Sequence, residues 1–127
     1  MTDPAQVQLD GACRVTVSRA FAAPRDVVWT AFTDPDVLRK WLLGPPGWEM
    51  FLCEVTLSIG GGYRWRWHNA ANGETFGFTG TYSDVQIGNR LADSQSFDPG
   101  THALPMGEVT HNSVEFSDDG AGTRVVT

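Results

Sequence analysis

Cysteine and positive charge are both scarce in this sequence, and each shortage excludes something. Two cysteines, Cys13 and Cys53, in 127 residues cannot form a disulfide framework. That points to a reducing, cytoplasmic setting. Nine Lys and Arg stand against fifteen Asp and Glu, for a formal charge of −6. Binding nucleic acid non-specifically requires a basic footprint that displaces counterions, and docking on an anionic bilayer needs one as well. Neither nucleic acid nor a membrane surface is therefore an expected partner. No apolar run approaches the ~20 residues needed to span a bilayer, and the acidic, polar start MTDPAQVQLD does not read as a secretory signal. Internal repeats and low-complexity tracts are also missing.

What is present suffices for one compact core. The chain is 41% hydrophobic and 11% aromatic, which places it among globular domains of ordinary size. Residues 1–11 lack periodicity and read as a flexible lead. Residues 12–127 read as a single domain. Cys13, Val15 and Val17 alternate with Arg14, Thr16 and Ser18, the two-residue period of a half-buried strand. Arg19 interrupts its apolar side. Pro24 opens a short helix, PRDVVWTAF, because a first-turn proline sacrifices no intrahelical hydrogen bond. Asp34 is placed to cap a second helix running from Pro35 to about Leu43. In that helix Val37, Leu38, Trp41 and Leu42 share a face, and Gly44-Pro45-Pro46-Gly47 stops it.

The rest reads as strands joined by turns. Phe51, Cys53, Val55, Leu57 and Ile59 alternate with polar neighbours. After Gly60-Gly61-Gly62, the residues Tyr63, Trp65 and Trp67 alternate with Arg64, Arg66 and His68. Asn72-Gly73 is a favoured hairpin turn. Phe76, Phe78 and Tyr82 line the next strand, in which Gly77 and Gly80 permit close approach or a bulge. RLADSQSF is a weak strand, and a Pro- and Gly-rich loop from Asp98 to Gly107 leads to GEVTHNSVEFS, with Val114 and Phe116 on one face. Asp118-Asp119-Gly120 turns into a last strand beginning at Thr123. Successive hairpins make an antiparallel sheet with one face covered. Two short helices are too small to cover so many strands.

The run RAFAAPRDVVWTAFTDPDVLRKWLLGPPGW, followed in order by SIGGGYRWRW, GFTGTYSDVQIGNRL and SVEFSDDGAGTRVV, resembles the START-like helix-grip superfamily (SRPBCC), in the branch of the activator of Hsp90 ATPase homologues (AHSA1-like). The resemblance spans about Arg14 to Thr127. It implies an α+β, Bet v 1-like fold in which a curved antiparallel sheet grips a long C-terminal helix around an apolar cavity. This sequence departs from that pattern by ending inside the last strand with no candidate for the long helix. An open sheet would expose apolar surface and unpaired edges, so a homodimer or a partner chain covering the incomplete sheet is expected.

The resemblance also gives the aromatic set Trp41, Tyr63, Trp65, Trp67, Phe76, Phe78 and Tyr82 two meanings. These residues are either ordinary core or the lining of a cavity for a small hydrophobic ligand. Asp93 and Gln95 share a face with Leu91 and Phe97. If that face points inward, they would anchor a ligand's polar group, with Arg19 as a possible counter-charge for Asp93. If RLADSQSF is an exposed edge strand, which is the simpler reading, they are merely solvated.

Catalytic and metal chemistry find little support. No G-x-S-x-G elbow is present, and Gly60-Gly61-Gly62 lacks the Lys-Ser/Thr and helix of a phosphate loop. His68, His102 and His111 lie on separate segments without metal-ligand spacing. Asp34 and Asp36 serve a helix start, and Arg64 with Arg66 reads as a solvated strip on the outer face. The expected function is therefore non-catalytic binding of a small hydrophobic or aromatic molecule, without cofactor or metal. Two rivals follow from the resemblance: a co-chaperone-like interaction module, and a cyclase- or hydrolase-type enzyme for which Asp93 is the nameable acid–base residue.

Overall fold

A computed structural model describes residues 5–11, 14–101 and 109–127. Cys13, His102 and most of the loop from Asp98 to Gly107 lie outside the described residues. The elements run β1 (Gln6–Asp10), β2 (Arg14–Phe21), α1 (Arg25–Thr33), α2 (Pro35–Trp41), β3 (Trp48–Val55), β4 (Gly62–Asn69), β5 (Thr75–Gln86), β6 (Arg90–Asp98), β7 (Thr110–Asp119) and β8 (Gly122–Val126). The eight described strands form one curved, open antiparallel sheet in the order β1-β2-β8-β7-β6-β5-β4-β3. This is the helix-grip arrangement. Among the described residues the helices are α1 and α2.

Local sequence explains the helices. Pro24 holds an extended backbone just before α1. Asp34 ends that helix and starts the next: its side chain accepts a 2.8 Å bond from the Asp36 N–H, with Pro35 in the first turn. Arg39 and Lys40 occupy the last turn of α2, where they complement the helix dipole. Both helices pack on the same side of the sheet, α1 against β7 and β8 and α2 against β3. Val28 and Trp29 of α1 bury against Tyr63, Tyr82, Leu91, Phe116 and Val125, and Phe32 packs at the margin. Trp29 and Phe32 both meet the Phe116 ring edge-on, at 5.2 and 5.3 Å. Burying each such side chain contributes about 1.5–3 kcal/mol.

Three expectations are corrected. Residues 6–10, expected within the unstructured lead, pair with β2 as an edge strand, Val7 opposite Val17 and Leu9 opposite Val15. Their weak pattern hid them, because an edge strand needs only a partner's free N–H and C=O row. The register of β3 slips between Met50 and Leu52, so Met50 and Cys53 both face the helices. Phe51 is thereby turned outward, half-exposed against His68, while Leu57 and Ile59 fall beyond the strand and are exposed. Strand β6 is not an edge. It lies between β5 and β7, paired with β5 from Arg90 to Asp98 and with β7 from Arg90 to Gln95.

Candidate functional site

Because β6 is interior, the face carrying Leu91, Asp93 and Gln95 is decided by its neighbours. Asp93 lies opposite Tyr82 on β5 and Asn112 on β7, and Tyr82 belongs to the core under the helices. Asp93 and Gln95 therefore point to the helix side. There they join Tyr63 and Asn112 in one hydrogen-bonded cluster. Gln95 Nε2 donates to the Tyr63 hydroxyl at 2.8 Å, which in turn donates to Asp93 Oδ2 at 3.2 Å. Asn112 Nδ2 donates to Asp93 Oδ1 at 3.0 Å and lies 3.5 Å from Gln95 Oε1.

This cluster opens into a trough whose helix-side lining includes Val17, Phe32, Leu38, Trp41, Trp65 and Val114. Trp65 stacks on Tyr63, with ring centroids 4.2 Å apart. Its indole nitrogen is buried and has no hydrogen-bond partner among the described residues. Trp41 lines the same trough from the end of α2, 44% exposed. The Trp41 N–H is tied to the Ala31 carbonyl at 2.7 Å and its ring packs on Phe32. Trp41 and Trp65 thus both line the trough that holds the polar cluster.

The sequence-derived set divides in space. Trp41, Tyr63, Trp65, Asp93 and Gln95 come together at the trough. Trp67, Phe76 and Phe78 form a separate ring cluster with Trp48 and Phe97 farther along the sheet. The Trp67 N–H there closes on the Leu42 carbonyl. Tyr82 is buried in the core between the sheet and α1. Sequence reasoning missed Asn112, Phe32 and Leu38. For Asn112 a signal existed, since it sits two and four residues before Val114 and Phe116 and so shares their face.

Burial sets the electrostatics of the cluster. Removal from water raises the Asp93 carboxyl above its usual range, while the bonds from Asn112 and Tyr63 pull it back. Burial, then the neighbouring Asp93 charge, pushes the Tyr63 phenol well up, and the same causes raise Tyr82 to about 12. Both phenols remain donors at any ordinary pH. Arg19 does not supply the counter-charge. Strand β2 is three strands from β6, about 14 Å at ordinary strand spacing, and the Arg19 guanidinium rests 5.5 Å from the Phe21 ring.

Elsewhere the chemistry is structural. Cys53 is a buried free thiol raised chiefly by desolvation. Among the described residues no three His, Cys, Asp or Glu converge as a metal site, and no helix is long and apolar enough to cross a membrane. The expected Arg64–Arg66 strip is corrected in part. Arg64 is solvated beside Glu54, but Arg66 is only 13% exposed and is paired with Asp98, its stem filling the space over Gly77.

Comparison with known proteins agrees with this architecture. A crystal structure of a protein from Rhodobacter sphaeroides is 28% identical, with a TM-score of 0.85, over 97% of this chain and 76% of that one. A Mycobacterium smegmatis protein is 24% identical with a TM-score of 0.76 over the same shares. The solution structure of an AHSA1-like protein from Aeromonas hydrophila is 22% identical with a TM-score of 0.64, over 87% of this chain and 71% of that one. No curated protein matches. The family described as activator of Hsp90 ATPase homolog 1-like protein matches residues 22–127, and the chain belongs to that family.

Proposed function

We propose that this protein binds a small, mostly apolar molecule in the trough between the sheet and its two helices, without catalysis. The carrying observation is the polar cluster of Tyr63, Asp93, Gln95 and Asn112 in the trough that Trp41 and Trp65 also line. Pockets for small ligands combine apolar walls with a few converging polar groups that fix orientation. Affinity would come from apolar area removed from water, at about 25 cal/mol per Å², and orientation from the cluster. Val7, Leu9 and Val15 leave exposed apolar side chains beside the trough on the β1–β2 end of the same face. A second copy of the chain covering them is part of the proposal. A cytoplasmic setting fits the buried free thiol of Cys53.

Native mass spectrometry of protein purified without added ligand tests both parts. A dimer carrying a removable small mass is the expected result. A bare monomer that also fails to take up hydrophobic probes in titration rejects the reading.

The family match favours one second reading, an interaction module of the Hsp90-activator type. Charge reversal at Arg64, which is exposed and paired with Glu54 across the strand, would then abolish capture of a chaperone partner while leaving probe binding intact. Unchanged capture would reject this use of the outer face.

A further inference from the structure

We infer that the molecule favoured by the trough is an aromatic or otherwise flat apolar body carrying a hydrogen-bond-donating cation, such as a primary ammonium or an amidinium. This inference rests on the trough being a ligand site. It goes further by reading the site's charge and its donor–acceptor balance.

Both neighbours that touch Asp93 donate to it: the Tyr63 hydroxyl to one oxygen and the Asn112 amide to the other. That arrangement serves a carboxylate rather than a carboxylic acid, which would need an acceptor for its own proton. A carboxylate has about four lone-pair sites, and the described residues use two of them. The Tyr63 hydroxyl is saturated as a donor by Asp93 and accepts from Gln95. The cluster therefore ends with acceptors to spare on its negative member.

No counter-charge is supplied by the described residues. Arg90 borders the trough but is engaged by Asp84 at 2.7 Å and Glu115 at 3.5 Å. His111 also borders it and meets the Ser94 hydroxyl at 3.2 Å through Nδ1. Arg14 also borders the trough, from the exposed start of β2, but is not among the groups that act on Asp93, and Arg19 lies over Phe21. A half-buried carboxylate without a cation is costly, and a ligand ammonium would offset that cost through charge-assisted hydrogen bonds. The walls suit the remainder of such a molecule. Trp65 and Trp41 both line the trough, and aromatic rings attract both flat apolar groups and cations.

The test uses the full chain and calorimetric titration with three probes sharing one body: 2-naphthylethylamine, 2-naphthylethanol and 2-naphthylacetate. The amine is expected to bind about tenfold more tightly than the alcohol, with the carboxylate weakest. In Asp93→Asn the amine should lose about tenfold in affinity, so that its preference over the alcohol disappears. Alcohol or carboxylate binding as tightly as the amine to the unaltered protein overturns the charge assignment but leaves the trough as a ligand site. Failure of all three probes to bind overturns both. The comparison within the unaltered protein decides the matter even if the variant does not fold.

Discussion

The ring of Tyr63 lies flat across Gly80, its cross-strand partner on β5, so closely that a Cβ at position 80 would collide with the ring and the hydroxyl. Glycine is weak in a strand interior, and covering it with an aromatic ring restores the lost contact. Here the same contact delivers the Tyr63 hydroxyl to Asp93 and Gln95. Gly80→Ala should therefore destabilise the protein by about 1–3 kcal/mol through overpacking and displace the hydroxyl from the cluster. Denaturant unfolding reads the first effect, and weakened binding of the naphthyl probes reads the second. A variant as stable as the parent, with unaltered binding, would show that Tyr63 can move aside freely.

Asp93 gives a pH dependence whose sign can be worked out. Its carboxyl is raised in the folded protein above an unfolded value near 3.9. Between those two values the native state binds more protons than the unfolded chain, so this group makes stability fall as pH rises through that window. Above it, the cost of the buried charge stays constant. Asp93→Asn lacks the titration, and Asn112 can turn its amide to satisfy the new side chain. Tyr82, at about 12, does not titrate in the window. The stability of the parent minus that of the variant should therefore decrease as pH rises from about 4. Parallel pH–stability curves from urea titrations would contradict this.

Phe116 tests the packing that holds the helices on the sheet. It is 4% exposed and receives the edges of both Trp29 and Phe32 from α1. Phe116→Ala should cost about 3–5 kcal/mol, the range for emptying a buried phenylalanine site. At this chain length that lowers Tm by roughly 10–20 °C. Thermal melts followed by circular dichroism would show it. A loss below about 1 kcal/mol would mean that α1 is held mainly by other contacts.

Much of this fold is legible in the sequence because its signals are local. Pro24 and Asp34 mark the helix starts where the structure has them, and Asn72-Gly73 marks its hairpin, with Gly73 at a φ of 75°. Signals that depend on partners were not legible. The extra residue at Phe51 leaves the alternation of β3 looking continuous in sequence while turning one side chain to the opposite face. The polar residues of β6 resemble an edge strand until β5 and β7 are seen on either side. The site suffers most from this limit. Its acceptor, Asp93, is read from one strand, but its two donors come from β4 and β7, thirty and nineteen residues away. Aromatic content alone could not separate Trp65, beside the trough, from Trp67 and Phe76, stacked 5.1 Å apart in packing of their own.

The same limit separates Arg64 from Arg66, which alternate identically with tryptophan yet differ in environment. Arg64 reaches Glu54 at 3.3 Å with both side chains more than half exposed, where ion pairs contribute little. Arg66 meets Asp98 at 3.0 Å, the carbonyls of Trp65 and Phe78 at 2.9 Å each, and the Thr79 hydroxyl at 3.0 Å. Removing it strands a partly buried carboxylate and empties the space that Gly77 leaves for its stem. Arg66→Met should therefore cost about 1–3 kcal/mol. Arg64→Met should stay within about 0.5 kcal/mol of the parent. Parallel urea titrations of the two variants make the comparison, and equal losses would mean that the Arg66 contacts contribute no more than a surface pair.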